Sequence, residues 1–172
     1  MSRDTELANF NEMYTPDIAL EYIKEFLPKD KIYWEACYWL WHLAKALEIR
    51  WFKVVWNKDI DCLLQEPQEK WDIWFTNPPF KWNKKFIKRA LELWKPFISL
   101  QRLEHLWWVD AMNYFNDDNI QIIIPENRIN YITPKIMRWE KTWWATFHSV
   151  FICYKINLPN KLIYKSLTRN PL

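Results

Sequence analysis

Trp71-Asp72-Ile73-Trp74-Phe75-Thr76-Asn77-Pro78-Pro79-Phe80 is the most informative stretch of this chain. It opens as an apolar run too short for a helix and closes on two prolines that cannot extend a ladder. That pattern predicts a buried strand ending in a fixed turn. In the turn, Asn77 offers an amide oxygen, Pro78 has a carbonyl but no N–H, Pro79 fixes the backbone, and Phe80 presents an aromatic face. Two convergent acceptors beside a stacking ring suit a planar ligand that carries an exocyclic amino group.

The composition around this stretch is unusual. The chain has 172 residues, half of them hydrophobic, with no glycine and 14 tryptophans. Average usage would give about twelve glycines and only about two tryptophans in a chain of this length. The excess matches the deficit, so most tryptophans are expected to stand where the functional polypeptide has glycine. Deliberate substitution would produce this, and so would UGA codons read as glycine in the source but translated as tryptophan. Trp39, Trp41, Trp51, Trp56, Trp94, Trp107, Trp108, Trp139, Trp143 and Trp144 fall at expected loops, helix ends or turns, where glycine reaches positive φ without steric cost. Trp34 and Trp71 lie in apolar strand surroundings and read as genuine.

Upstream, Thr15 and Pro16 suit the N-cap and first turn of a helix over residues 16 to 27, ended by Pro28. Lys31 to Cys37 reads as a strand and Leu40 to Ile49 as a helix. If Trp39 and Trp41 are glycine, Glu35-Ala36-Cys37-Tyr38-Trp39-Leu40-Trp41 becomes a strand, a glycine turn and a helix N-terminus. Backbone N–H groups can approach a ligand closely there, and a carboxylate at the strand end can hold a ribose or an ammonium group. Phe52 to Trp56 gives a second strand, followed by the acids Asp59 and Asp61.

Downstream, Lys81 to Trp94 has helical spacing with Lys84, Lys85, Lys88 and Arg89 on one side, a solvated face that can also meet phosphate. Pro96 to Leu100 reads as a strand, Leu103 to Phe115 as a helix, and Ile120 to Pro125 and Thr146 to Ile156 as a late strand pair. Residues 1 to 13 are expected to be a flexible arm and 158 to 172 a surface tail, in one domain. Three cysteines without paired spacing read as reduced and packed, and the three histidines read as packing or capping residues. The net charge of +3 permits nucleic-acid contact without arguing for it. No run approaches the roughly 20 apolar residues of a membrane span, and the first residues lack a signal-peptide core, so a soluble cytoplasmic protein is expected.

In order, Tyr-Thr-Pro, Glu-Ala-Cys-Tyr-Trp-Leu-Trp, Asp-Cys-Leu-Leu, Asn-Pro-Pro-Phe and the strand pair resemble the small S-adenosylmethionine-dependent adenine-N6 DNA methyltransferases of phage and restriction-modification settings. The resemblance spans roughly residues 11 to 157, with Ala36 where a proline is common. It implies an α/β fold, a doubly wound and mostly parallel Rossmann-like sheet with an antiparallel final strand. It also implies S-adenosyl-L-methionine as cofactor, bordered by Tyr14, Thr15, Pro16, Glu35, Cys37, Trp39, Trp41, Asp59, Asp61 and Asn77. Asn77, Pro78, Pro79 and Phe80 would be the catalytic turn, with Phe80 and Tyr131 holding an extruded base. DNA is the implied partner, and the chemistry needs no metal. The same motif leaves open an RNA adenine, a protein glutamine, or a catalytically inactive nucleic-acid-binding relative.

Overall fold

The computed structural model describes residues 13–37, 42–56, 59–107, 115–132 and 145–167. Seven strands form one sheet: β1 (Ile32–Glu35), β2 (Lys53–Trp56), β3 (Ile73–Thr76), β4 (Phe97–Arg102), β5 (Ile120–Pro125), β6 (Ser149–Tyr154) and β7 (Leu162–Lys165). Their order is β2-β1-β3-β4-β6-β5-β7. The first four strands pair in parallel, β6 runs antiparallel between β4 and β5, and β7 lies parallel to β5.

Every residue of β3 and β6 is buried, as strands covered on both faces require. Successive side chains point to opposite faces, and the two cores follow that alternation. Tyr33, Ile73, Phe75, Ile98 and Phe151 join one core with α1 (Ile18–Glu21) and α2 (His42–Ile49). Trp34, Trp74, Phe97, Val150 and Ile152 join the other with α3 (Asn83–Glu92). Helices therefore cover both faces of a mostly parallel sheet, an α/β arrangement. Arg50, at the end of α2, binds Glu21 at 2.8 Å and Asp17 at 3.1 Å, tying α1 to α2.

Several expectations need correction. The helix expected over residues 16 to 27 is only α1 followed by a 3₁₀ turn at Lys24–Phe26. The helix expected over Leu103 to Phe115 begins as a 3₁₀ segment, Leu103–Trp107, and residues 108–114 lie outside the described residues. The antiparallel strand is β6, but it is not the last. Part of the expected surface tail is β7, paired through Ile122 with Leu162 and Ile123 with Ile163. Its alternation of exposed and half-buried residues is that of an edge strand, which carries no strong apolar signature. Trp56 closes β2 instead of lying in a loop. Residues 1–12 of the expected arm, and Trp39, Trp41, Trp108, Trp139, Trp143 and Trp144, lie outside the described residues. Among the described residues, no helix is long and apolar enough to cross a membrane.

Candidate active site

β1 and β3 are parallel neighbours, so their carboxyl ends bring Glu35 and the Thr76-Asn77-Pro78-Pro79 segment together. Ligand sites in open α/β sheets form at such ends. Glu35 is 3% exposed. Its Oε1 accepts hydrogen bonds from the Thr76 hydroxyl at 3.0 Å and the Cys37 N–H at 3.1 Å. Its Oε2 is buried without a partner. Burial pushes this carboxyl up to about 8, against the opposing pull of the Thr76 and Cys37 hydrogen bonds. Burial and the adjacent Cys62 thiol likewise push the Cys37 thiol well up. Cys37 and Cys62, distant in sequence, are thus neighbours in space, which places the 59–65 loop beside Glu35.

The two acids of that loop differ from Glu35. Asp61 is exposed and accepts the Leu63 N–H at 3.0 Å, a carboxylate folded onto its own turn. Asp59 is also exposed. Tyr14 and Ile132 exchange backbone hydrogen bonds at 2.8 and 3.1 Å, so the first described segment is laid against the residue after Tyr131. The Tyr14 ring meets His42 edge-on at 5.0 Å, Thr15 is buried, and the Pro16 carbonyl accepts the Ala19 N–H.

Asn77 is held by this same segment. Its Nδ2 donates to the Met13 carbonyl at 2.8 Å, and its Oδ1 is buried without a partner. Met13, expected in the arm, is therefore the residue that orients the side-chain amide. Pro79 closes the turn by accepting the Trp82 N–H at 2.9 Å, which starts the 3₁₀ segment leading into α3. Lys84, Lys85 and Lys88 are exposed on α3.

Phe80 sits within an aromatic cluster. Its ring meets Tyr131 at 5.9 Å and Phe147 at 5.2 Å, both nearly perpendicular, the edge-to-face geometry that ring quadrupoles favour. The Arg102 guanidinium lies 4.4 Å over Phe147 and 5.9 Å over Phe80. The Tyr131 hydroxyl shares a 2.8 Å hydrogen bond with Ser149, and burial pushes its pKa well up. Asn83 lies against the His105 ring, which packs 6.1 Å from Phe80. Burial, helped by the charge of Arg102, lowers His105 to about 4, so it is neutral at ordinary pH.

The structure thus brings Glu35 and Cys37 together with Thr76, and Phe80 together with Tyr131, while Asn77, between them in the chain, is held by the segment laid beside Tyr131. Thr76, Phe147, Arg102 and the Met13 carbonyl were not singled out from sequence. Thr76 alone carried a signal, as a polar residue ending an otherwise apolar strand. No group of three or more His, Cys, Asp or Glu suited to a metal occurs among the described residues. No known protein-family profile matches the chain, and no curated protein is significantly similar to it.

Proposed function

We propose that this protein transfers a methyl group from S-adenosyl-L-methionine to an exocyclic amino nitrogen, foremost N6 of adenine in DNA. One observation carries the reading: the Asn77 amide is locked through Nδ2 onto the Met13 carbonyl while Oδ1 stays buried and unpaired. A buried acceptor without a donor is costly, and a ligand amino group would satisfy it. The Pro78 carbonyl, which belongs to a residue with no N–H, is the second acceptor in the turn.

An adenine amino nitrogen is a weak nucleophile because its lone pair is delocalised into the ring. Accepting both amino hydrogens at Asn77 Oδ1 and the Pro78 carbonyl shifts that nitrogen toward tetrahedral geometry and aims its lone pair outward. Phe80 supplies a face for the base once it leaves the helical stack. The exposed lysines of α3, which continues from the turn, offer charge for the phosphate backbone.

The residues present fit the cofactor. The unpaired Oε2 of Glu35 is a sealed acceptor suited to a hydroxyl or ammonium donor, and a cation beside it favours the ionised carboxylate that burial disfavours. The sulfonium supplies an activated methyl group, so the chain needs to position the nucleophile and not to activate the donor. With the cofactor bound, its methyl would pass to the amino nitrogen held by Asn77 Oδ1 and the Pro78 carbonyl, the thioether would leave with the S–C electron pair, and the proton released from nitrogen would go to water.

The test is methyl transfer from radiolabelled cofactor to DNA, RNA and protein fractions, by the native chain and by Asn77→Ala. DNA labelling that falls by at least about 10²–10³-fold in the variant, with cofactor affinity retained, is the expected result. An Asn77→Ala chain that methylates at the normal rate sinks the assignment. Labelling confined to RNA or protein keeps the turn chemistry and moves the substrate. Nucleic-acid binding without any cofactor binding points to an inactive relative.

A further inference from the structure

We infer that positions 51 and 94 of the functional polypeptide are glycine, and that the tryptophans written there are misread glycine positions. The inference is independent of the proposed reaction, because it rests on how α2 and α3 end. Both are helices of at least eight residues, and each is followed by a tryptophan in the left-handed region, Trp51 at φ 67° and Trp94 at φ 54°.

At the end of α2 the Trp51 N–H donates to the Glu48 carbonyl at 2.9 Å and the Phe52 N–H to the Leu47 carbonyl at 3.2 Å. These paired bonds define a helix stop in which the residue just past the cap must be left-handed. At the end of α3 the Trp94 N–H donates to the Leu91 carbonyl at 3.1 Å, placing Trp94 at the equivalent position. Glycine is the usual occupant, because any Cβ there crowds the following carbonyl. A bulky aromatic is among the poorest.

The side chains do not compensate. Trp51 is 87% exposed and Trp94 71% exposed, the Trp94 ring lying under the Lys155 ammonium at 4.7 Å. Trp34 is the contrast: it is 1% exposed, with ring centroids 4.9 Å from Trp74 and 5.0 Å from Trp71. Among the described tryptophans, Trp34, Trp71 and Trp74 thus fill a core, whereas Trp51 and Trp94 stand exposed on left-handed backbone that favours having no side chain. Only two other residues among those described have positive φ, Asn157 and Lys155. Asparagine tolerates that region, and Lys155 is fixed in it with its N–H donating to the Asn119 carbonyl at 3.1 Å.

Peptide sequencing by mass spectrometry of the polypeptide made in its native source decides the matter without needing a refolded chain. Glycine at 51 and 94 is expected, and tryptophan at either position overturns the inference. A second measurement uses the tryptophan-containing chain. Trp51→Gly and Trp94→Gly should each raise Tm by about 2–4 °C. Trp51→Ala, which removes the indole but keeps the Cβ, should gain much less. An alanine variant as stable as the glycine one would mean that indole exposure, not backbone conformation, is the fault, and would overturn the inference.

Discussion

Thr76 and Phe80 leave the same strand end, yet the groups around them are built on opposite principles. On the Thr76 side a carboxyl is sealed from water with one oxygen satisfied and the other orphaned. On the Phe80 side the rings satisfy one another edge to face, the Tyr131 hydroxyl is paired with Ser149, and Arg102 closes over Phe147. One side thus carries an orphaned carboxyl oxygen, whereas on the other the rings and the Tyr131 hydroxyl satisfy one another. The difference teaches where binding energy is drawn from: a charged or hydrogen-bonding ligand relieves a cost at Glu35, whereas a base at Phe80 gains stacking area on rings that already pack well.

The sharpest way to break this comparison is through pH. The Glu35 carboxyl is raised by burial from the ordinary 4.5 to about 8, so between those values the folded chain holds a proton that the unfolded chain has released. Stability from this group is therefore full below about pH 4.5, declines as pH rises toward 8 at roughly 1.4 kcal/mol per unit, and is constant above. Glu35→Gln should remove that decline, and thermal melts of both chains from pH 5 to 8 would read it. Parallel melting curves would show that Glu35 is not sealed. Cofactor should also lower the pH at which Glu35 ionises, if it places a cation there.

A smaller effect is expected on the aromatic side. Phe80→Ala should weaken binding of the target strand by about 1–3 kcal/mol, the worth of one stacked base, and leave cofactor affinity unchanged. Calorimetric titration with cofactor and with oligonucleotide separates the two, and an equal loss of both would mean that the Glu35 and Phe80 clusters serve a single ligand. The smallest change is Tyr131→Phe, which deletes the hydroxyl paired with Ser149 at 2.8 Å. It should cost about 0.5–1.5 kcal/mol of stability in denaturant melts. A loss near zero would mean that Ser149 finds another partner.

Much of the sheet was legible from residue pattern alone. The sequence pattern gives Ile120–Pro125 with its bounds intact and the short apolar runs at β1, β3 and β4 to within about three residues, because buried parallel strands are continuously apolar, and it gives the edge strand β2 from its Val54-Val55 pair. β7 was missed because Leu162, Ile163 and Tyr164 are mixed with lysines, as an edge strand tolerates. The first helix was read too long because apolar spacing persists through the 3₁₀ turn at Lys24–Phe26. Within the site, Asn77, Glu35 and Phe80 were visible from their places at strand ends. Phe147, Arg102 and the Met13 carbonyl were not, since each reaches the turn from a segment that no local pattern connects to it. Their roles arise from β6 lying between β4 and β5, and from the Tyr14 bridge to Ile132.

That strand order also sets a timetable for synthesis. β5 cannot pair with β4, because β6 occupies the place between them. As the chain leaves the ribosome, Ile120–Pro125 therefore waits, strongly apolar and without its neighbour, until Ser149–Tyr154 has followed it out. For that interval the edges of β4 and β5 that will flank β6 are both open, each a template for the wrong partner. The arrival of β6 closes both at once.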